Sequence, residues 1–312
     1  MQTVGIIGGS GFIGSYVTKL FLEEKFKVKA SVTDITRQDK YDHLLAFTNA
    51  PENLEIVGVD VRDMAALESF VQGCDVIVHG GTPFILDIKD PQRDLFEPTV
   101  NGTNNFLEVI SKLTDVKKVV LIASVAAYNT SFPLNPPGYE TTHVFSENQE
   151  PYMGEADHPY SQAKFMADQA VRKFVDENNE LPFTITSVSP TFVIGNALST
   201  RGDSTSQGMQ YLFKNKIAPN PFVEMMFTND VFFSMVDVRD VAEAVYQAAT
   251  RNGLHGKNYL IANESYRISD VTRMLNNEEP ANNPEYFYSH TNAKQDLGLA
   301  FISAKDSLSR YA

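Results

Sequence analysis

The first part of the chain alternates short, almost continuous hydrophobic runs with segments whose apolar positions recur at helical spacing. This order is typical of parallel strands joined by helices. The predicted strands are Thr3–Ile7, Lys27–Val32, Leu54–Val59, Val76–Gly80, Lys118–Ser124 and Phe183–Val188. The predicted helices are Phe12–Glu24, Met64–Val71, Val100–Lys112, Pro159–Asn178 and Val238–Thr250. Strands that are apolar on both faces need helices on both faces, so the pattern predicts an α/β fold with a doubly wound parallel sheet.

The composition changes close to Gly195. Beyond it, clusters of Gly, Ser, Asn and Pro at 196–207 and 276–284 separate short elements, and these residue types favour turns. We therefore predict two parts. Residues 1–194 hold the parallel sheet, and 195–312 form a smaller C-terminal region from which some segments return to the core of the first part.

Charge and composition limit the possible partners. The 312 residues carry a formal net charge of −13, which disfavours nucleic acid or an anionic membrane as partner. No apolar run approaches the roughly 18 residues of a membrane span, and the N-terminus lacks a signal-peptide pattern. Cys74 is the single cysteine, so no internal disulfide can form. We expect a cytoplasmic protein, either a monomer or a homodimer.

A glycine-rich loop joins the first predicted strand to the first predicted helix. Gly8 permits a tight turn, Gly11 lets the backbone approach a diphosphate, and Gly14 lets the helix pack closely on the strand. A diphosphate in this loop would meet the free N–H groups of the helix start, at Phe12 and Ile13. Because the loop follows a strand and opens a helix, it predicts dinucleotide binding on a Rossmann fold.

The third predicted strand ends in an acidic segment beside this loop. Asp60, with Val61 next to it, can accept hydrogen bonds from the amino group of an adenine. The alternative role for an aspartate here is to cap the helix that follows, because Asp63 directly precedes it. We predict adenine contact for Asp60 and Val61 and capping for Asp63.

A tyrosine and a lysine are spaced four residues apart on a predicted helix. Tyr160 and Lys164 therefore share a face, and the ammonium group is expected to lower the phenol pKa from its ordinary value near ~10. Such a tyrosine can act as general acid or base. Ser124 ends a buried strand, where doubly wound folds bind ligands, and can hydrogen bond a carbonyl oxygen that gains charge. The three residues together predict catalysis of hydride transfer at a carbonyl group.

These motifs resemble the extended short-chain dehydrogenase/reductases, in particular the branch of dihydroflavonol reductase, cinnamoyl-CoA reductase and microbial carbonyl (methylglyoxal-type) reductases. The similarity runs nearly from end to end. It includes the segments 79–83, 97–103, 189–195 and 236–242. The resemblance implies NAD(P)H-dependent reduction of an aldehyde or ketone to an alcohol. It also implies that Ser124, Tyr160 and Lys164 are catalytic and that Lys164 binds the nicotinamide ribose.

The resemblance also assigns the remainder of the cofactor site. It implies that the strand end beyond His79 contacts the cofactor and that a second segment passes beside the nicotinamide carboxamide. These two sets are Gly80, Gly81 and Thr82, and Pro190, Thr191 and Val193.

The second predicted strand ends in Thr33 and Asp34. Relatives that use NADPH commonly carry arginine at the position of Thr33, where its bidentate cation grips the 2′-phosphate. Without it, Asp34 can accept a hydrogen bond from a free ribose 2′-hydroxyl, which favours NADH. Arg37 and Lys40 follow closely and can supply the missing charge. We predict NADPH as cofactor, with NADH as the alternative.

The substrate is predicted to be a small carbonyl compound, contacted by Pro83, Phe84, Asn101 and Asn129. Asn129 follows the catalytic serine by five residues, at the position of a substrate-binding asparagine in flavonoid-reducing relatives. Asparagine is also a favoured loop residue that bonds its own backbone, so a structural role for Asn129 is the alternative.

Other functional classes fit the sequence less well than a reductase. A nucleotide-sugar epimerase or dehydratase shares the serine, tyrosine and lysine but must bind a diphosphate substrate, and basic residues are few in the C-terminal part. A dinucleotide-binding sensor would not need the tyrosine and lysine. The six histidines show no ligand spacing, so no metal is predicted. The glycine loop is not a hydrolase nucleophile turn.

Overall fold

Seven strands, all paired in parallel, form the main sheet of the part of the chain that the structure describes. The structure is a computed structural model that describes residues 1–80, 90–178 and 180–311. The strands are Thr3–Ile7 (β1), Lys27–Val32 (β2), Leu54–Gly58 (β3), Val76–His79 (β4), Lys118–Ile122 (β5), Thr184–Pro190 (β6) and, after two strands outside this sheet, Asn258–Ile261 (β9). Their order in the sheet is β3-β2-β1-β4-β5-β6-β9. All of them run in the same direction, and successive strands are added on one side of β1 up to β3 and on the other side from β4 onwards.

Helices connect these strands and fill the C-terminal region. The α-helices are Phe12–Glu23 (α1), Asp42–Leu45 (α2), Ala50–Asn53 (α3), Met64–Val71 (α4), Gly102–Ser111 (α5), Pro159–Glu177 (α6), Thr205–Asn215 (α7), Pro221–Thr228 (α8), Val238–Thr250 (α9), Ile268–Leu275 (α10), Thr291–Leu297 (α11) and Ala304–Leu308 (α12). Two 3₁₀ turns, Gln38–Lys40 and Val125–Ala127, and a π-helical segment, Gln92–Asn101, complete the described helices.

The hydrophobic core lies on both faces of the main sheet. Side chains of α1 and α9, such as Phe21 and Val245, pack on one face. Side chains of α4, α5 and α6, such as Phe70, Phe106 and Val171, pack on the other. Both faces are therefore covered, as the apolar strands required, and the predicted doubly wound Rossmann fold is confirmed.

A second, smaller sheet lies in the C-terminal part of the chain. Its strands are Phe192–Ile194 (β7), Phe232–Asp237 (β8) and Ser265–Arg267 (β10), in the order β10-β8-β7, and β8 pairs with β7 in parallel and with β10 in antiparallel fashion. Helices α7, α8, α10 and α12 enclose a separate apolar core with it. Helix α9 and strand β9 return to the main sheet. The assignment of 195–312 as mainly a substrate-binding region stays a prediction.

Several predicted boundaries differ from the structure by one or two residues, and two of these differences have a clear physical reason. Strand β5 ends at Ile122 and not at Ser124, because Ser124 already caps the following 3₁₀ turn. The helix predicted from Val100 begins at Gly102, after a π-helical segment that contains Pro98. Proline cannot donate to the helical ladder and its ring displaces the preceding turn, so regular α-helical geometry is interrupted there. None of the described helices has the length and apolarity that crossing a membrane requires.

Candidate active site

The glycine loop is shaped to receive an anion. Gly8 has φ +81°, a left-handed conformation that favours glycine, and its carbonyl accepts a hydrogen bond from the Gly11 N–H at 3.1 Å. A Cβ on Gly14 would overlap that same carbonyl oxygen. Helix α1 begins here with no side-chain cap and no acidic residue in its first turn, where Phe12 and Ile13 lie. The helix start thus retains the uncapped N–H groups and positive dipole end that bind a diphosphate.

Strand β2 fixes this loop in place. The Gly8 N–H donates to the Ser31 hydroxyl oxygen at 3.0 Å, and a Cβ on Gly9 would lie 2.8 Å from the Cβ of Ala30. Both contacts come from the strand beside β1, so the loop is packed against β2 as well as against its own helix. Ser31 belongs to no sequence motif, so its contact with the glycine loop could not be predicted from the sequence.

Ser124 and Tyr160 meet at the carboxyl end of the main sheet. Ser124 follows β5 and caps the 3₁₀ turn, accepting a hydrogen bond from the Ala126 N–H at 3.3 Å. Its hydroxyl also hydrogen bonds the Tyr160 phenol. Tyr160 lies in the first turn of α6, where its N–H donates to Nδ1 of His158 at 3.2 Å. The structure therefore joins the two hydroxyls that the sequence placed 36 residues apart.

Lys164 lies one helical turn beyond Tyr160. Its side chain is buried, and Nζ donates to the Ile122 carbonyl oxygen at 3.4 Å, at the end of β5. Burial lowers the pKa of Lys164 to about 8. Burial raises the pKa of Tyr160, while the hydrogen bond with Ser124 opposes that rise. Loss of hydration is the main cause of this rise, and the lowering expected from Lys164 together with a positively charged nicotinamide stays a prediction for the cofactor-bound site.

His79 ends β4 close to this lysine. Burial, followed by the charge of Lys164, lowers the pKa of the His79 imidazole to about 4, so the ring is neutral at physiological pH. The ring packs edge-on against Phe106, with 4.5 Å between centroids. Gly80 comes next, and a Cβ there would lie 2.9 Å from the Ile122 side chain. The predicted contacts Gly81, Thr82, Pro83 and Phe84 lie outside the described residues.

The segment predicted to pass beside the nicotinamide is buried. Pro190 ends β6, the Thr191 N–H donates to the Ile261 carbonyl at 3.1 Å, and Val193 lies in β7. The Thr191 hydroxyl is buried without a hydrogen-bond partner among the described residues. A buried hydroxyl of this kind is costly unless a bound group satisfies it, and the amide of a nicotinamide has donors and an acceptor that fit.

The residues predicted to contact adenine include an ion-paired aspartate. Asp60 accepts hydrogen bonds from its neighbour Arg62, at 3.0 Å from Nε and 2.6 Å from Nη2. Val61 is buried against Gly102. Asp63 accepts from two N–H groups in the first turn of α4, which confirms its predicted capping role. Adenine contact by Asp60 and Val61 remains a prediction, and Arg62 is a partner of Asp60 that the sequence analysis did not name.

The residues after β2 are exposed and paired with one another. Asp34 Oδ1 accepts from the Thr36 N–H at 2.9 Å and from its hydroxyl at 2.6 Å, and these bonds lower the pKa of Asp34. Arg37 forms a two-pronged ion pair with Asp39, with both N···O distances at 2.9 Å. Thr33 is exposed. One of the two carboxylate oxygens of Asp34 is thus engaged by its own loop.

The structure describes two of the predicted substrate residues, and they differ in burial. Asn101 is exposed at the end of the π-helical segment. Asn129 is fully buried. Its Nδ2 donates to the Leu134 carbonyl at 2.9 Å and to the Tyr288 hydroxyl at 3.0 Å, and its Oδ1 accepts from the Ser131 N–H at 3.0 Å. This geometry favours the structural role that the sequence analysis kept as the alternative.

Replacing Asn129 by alanine should therefore lower stability. The change leaves the partly buried N–H of Ser131 without its acceptor and removes both Nδ2 bonds, so we expect a loss of about 1–3 kcal/mol in the free energy of unfolding. Urea unfolding of Asn129→Ala and wild type measures it. Relative kcat/KM for polar and apolar carbonyl substrates should stay unchanged. A stable variant that loses activity only on polar substrates would restore the substrate-contact role.

Helix α6 is held by a network that the sequence analysis missed. Asp168, one turn beyond Lys164, is buried and accepts from Arg172 Nε at 2.6 Å and from Asn258 Nδ2 at 2.7 Å. Asn258 begins β9, so the helix that carries the tyrosine and lysine is tied to the last strand of the main sheet. In the sequence this network is indicated by the four-residue spacing of positions 160, 164, 168 and 172, because residues four apart share a helix face.

Comparisons with known proteins identify the family of this chain. The model of the "NAD dependent epimerase/dehydratase family" matches residues 4–262. A cinnamoyl-CoA reductase of Medicago truncatula is 30% identical over 280 residues, covering 90% of this chain and 82% of that protein. An NADPH-dependent methylglyoxal reductase of Saccharomyces cerevisiae is 28% identical over 304 residues, covering 89% and 83%. A crystal structure of a yeast methylglyoxal/isovaleraldehyde reductase with NADPH superposes with a TM-score of 0.81 at 24% identity, covering 99% and 97%.

The fold and the serine–tyrosine–lysine site define an enzyme of the extended short-chain dehydrogenase/reductase type. The chain belongs to the NAD-dependent epimerase/dehydratase family. The predicted resemblance to the branch of cinnamoyl-CoA, dihydroflavonol and methylglyoxal reductases is confirmed by the relatives found. The likeness to the solved structures is a likeness of fold, since their sequences are less than 25% identical to this one.

Proposed function

We propose that this chain is an NADPH-dependent reductase that converts the carbonyl group of a small aldehyde or ketone into an alcohol. The observation that carries the proposal is the hydrogen bond between Ser124 and Tyr160, with Lys164 one turn away, at the same sheet edge as the glycine loop. Relatives that are named as reductases along nearly the whole chain support it.

The residues present fit a bound dinucleotide. The uncapped start of α1 would hold the diphosphate, Lys164 the nicotinamide ribose, and Thr191 the carboxamide. When bound, the cofactor supplies the hydride for the carbonyl carbon. The protein then has to orient the carbonyl and to provide one proton.

Ser124 and Tyr160 provide both functions. Each hydroxyl can donate a hydrogen bond to the carbonyl oxygen, and such bonds strengthen as negative charge develops there. Because the pKa of Tyr160 is raised, the phenol carries its proton throughout the physiological range. It donates that proton to the oxygen as the C–H bond forms, which balances the reaction to an alcohol. The buried Lys164 orients the tyrosine side of the site and opposes the phenolate charge left behind.

NADPH as the preferred cofactor is supported by the NADPH-dependent reductase among the relatives, while Oδ1 of Asp34 is engaged by Thr36. We expect wild-type kcat/KM to be higher with NADPH. Thr33→Arg should increase the preference by about 1.5–3 kcal/mol at most, the range for a charge-assisted hydrogen bond. Steady-state kinetics with each cofactor and one aldehyde measure both values, with Thr36→Val as a variant that frees Asp34 for a ribose hydroxyl. A tenfold wild-type preference for NADH would contradict the assignment.

The reductase activity is tested by adding NADPH and a panel of aromatic and aliphatic aldehydes and following the loss of reduced-nicotinamide absorbance. We expect stoichiometric alcohol formation. An epimerase or dehydratase regenerates its dinucleotide, so conversion of a nucleotide sugar without net NADPH consumption would overturn the proposal. Binding of NADPH without turnover of any substrate would instead indicate a sensor.

We also infer a cytoplasmic location, supported by the acidic charge and by Cys74, which is buried and not in a disulfide. Residues 195–312 would provide most of the substrate pocket, with Asn101 as a further contact. A monomer or homodimer is expected, and size-exclusion chromatography with light scattering tests it.

A further inference from the structure

Arg201 reaches from the C-terminal region onto the cofactor side of the molecule. It lies between β7 and α7, and its side chain is 22% exposed. Its Nη1 donates to the Ser10 carbonyl at 3.3 Å, within the glycine loop, and to the Lys40 carbonyl at 3.1 Å, in the 3₁₀ turn after β2. One guanidinium group therefore connects two segments that are far apart in sequence.

These two segments border the position of the adenine ribose. In doubly wound folds, the ribose lies at the carboxyl end of the second strand, beside the glycine loop, where an acidic residue binds the 2′-hydroxyl or an arginine accommodates the 2′-phosphate. Ser10 belongs to that loop and Lys40 follows that strand. A group that contacts both carbonyls is placed across the ribose position.

The residues at the end of β2 offer a 2′-phosphate one arginine, the exposed Arg37, whereas Arg201 is more buried and contacts both segments that border the ribose position. Thr33 has no charge, and Arg37 is held by both oxygens of Asp39. Asp203 interacts electrostatically with Arg201, with Lys40 and with Arg37, so these three cations lie around one carboxylate.

We propose that Arg201, supplied by the C-terminal region, is the residue that binds the 2′-phosphate of NADPH and sets the preference over NADH. The proposal rests on the proposed use of NADPH. NADPH-using relatives commonly carry the phosphate-binding arginine at the end of the second strand. Arg201 lies about 170 positions further along this chain. A planar guanidinium with several N–H donors can keep a carbonyl contact and still bind phosphate oxygens.

The carboxylate of Asp203 competes with a 2′-phosphate for Arg201. This carboxylate pairs with Arg201 through Nε at 2.9 Å and Nη2 at 2.5 Å. A 2′-phosphate must share the guanidinium with this carboxylate and is repelled by its charge. Removing the charge of Asp203 should therefore favour NADPH, whereas removing Arg201 should disfavour it.

The loop that carries Arg201 is tied to the glycine-loop helix at a second point. The Tyr16 hydroxyl, on α1, donates to the Asn196 carbonyl at 2.8 Å. Binding of the 2′-phosphate by Arg201 would consequently hold residues 196–203, at the entrance to the C-terminal region, against the cofactor domain.

The test is a binding experiment that needs no turnover. Isothermal titration calorimetry is carried out with two ligand pairs that differ only in the 2′-phosphate: NADPH with NADH, and adenosine 2′,5′-bisphosphate with AMP. For Arg201→Ala we expect about tenfold or more weaker binding of the two phosphorylated ligands and less than about threefold change for the others. For Asp203→Asn we expect about threefold or more tighter binding of the phosphorylated ligands only.

Two control variants complete the design. Arg273→Ala removes a surface arginine that pairs with Glu278 in the C-terminal region, and it should change no affinity. Arg37→Ala tests the competing assignment. Equal losses for all four ligands in both Arg201→Ala and Asp203→Asn would show that the pair is only structural and would overturn the proposal. So would a loss of selectivity in Arg37→Ala with selectivity retained in Arg201→Ala.

The outcome is separable from the proposed function. If NADPH binds with the predicted dependence on Arg201 but no carbonyl compound is reduced, the reductase activity fails and the phosphate site stands. If aldehydes are reduced with selectivity that Arg201 does not influence, the phosphate assignment fails and the reductase activity stands.

Discussion

Tyr160→Phe should lower kcat by about 10² or more while dinucleotide affinity stays within a few-fold of wild type. The change removes the proton donor that hydrogen bonds Ser124, and loss of a general acid has effects of this size. The ring that packs at the start of α6 is kept, so the cofactor site is not disturbed. Single-turnover reduction of an aldehyde gives the rate, and calorimetric titration with NADPH gives the affinity.

The matched control is Tyr152→Phe, which removes a phenol on the loop that pairs with Asn129 through its backbone. It should leave kcat within a few-fold of wild type. Wild-type turnover in Tyr160→Phe would show that the tyrosine is not the acid.

The second large effect concerns stability and pH. The pKa of Lys164 is lowered by burial to about 8, whereas an unfolded lysine titrates near 10.5. At any pH below 8 the folded protein therefore holds a buried cation, and this cost is relieved as pH rises from 8 to 10.5, where only the unfolded chain binds the proton. Lys164→Met removes the cost. We expect it to stabilise the dinucleotide-free protein by up to about 3 kcal/mol at pH 7 and to abolish activity.

Urea unfolding at pH 7 and at pH 10 measures the predicted change. The gain should shrink towards pH 10, because the wild-type protein recovers the cost there. Lys173→Met, an exposed lysine on the same helix, should show no such dependence. A Lys164→Met protein that is less stable than wild type at pH 7 would contradict the burial argument.

The sequence was sufficient for the features that depend on local order. The hydrophobic runs placed the strands of the first part, the glycine spacing placed the anion-binding turn, and Asp63 caps its helix as expected. Ser124 and Tyr160 were paired correctly because each belongs to a motif at the end of a strand or the start of a helix. Such signals involve neighbours in the chain, and local physics decides them.

Features that depend on distant partners were not predictable in this way. Asn129 looked like a pocket residue until the structure placed the Tyr288 hydroxyl, 159 residues away, on its amide. The sheet of β7, β8 and β10 consists of short strands without clear alternation, so its pairing is set by packing. The pKa of Tyr160 depends on how much water the fold removes around it, and residue spacing carries no information about burial.

The position of β9 also bears on how the chain can be made. This strand closes the main sheet against β6 but is encoded at Asn258–Ile261, after the whole of β7, β8 and α9. While the protein is being synthesised, β6 stays an open hydrophobic edge until residue 261 has left the ribosome, and one face of the sheet lacks α9. A fragment that stops at residue 194 would keep that edge permanently. The cofactor-binding half is thus not a separable module, and fusions or splits of this enzyme should leave 1–261 in one piece.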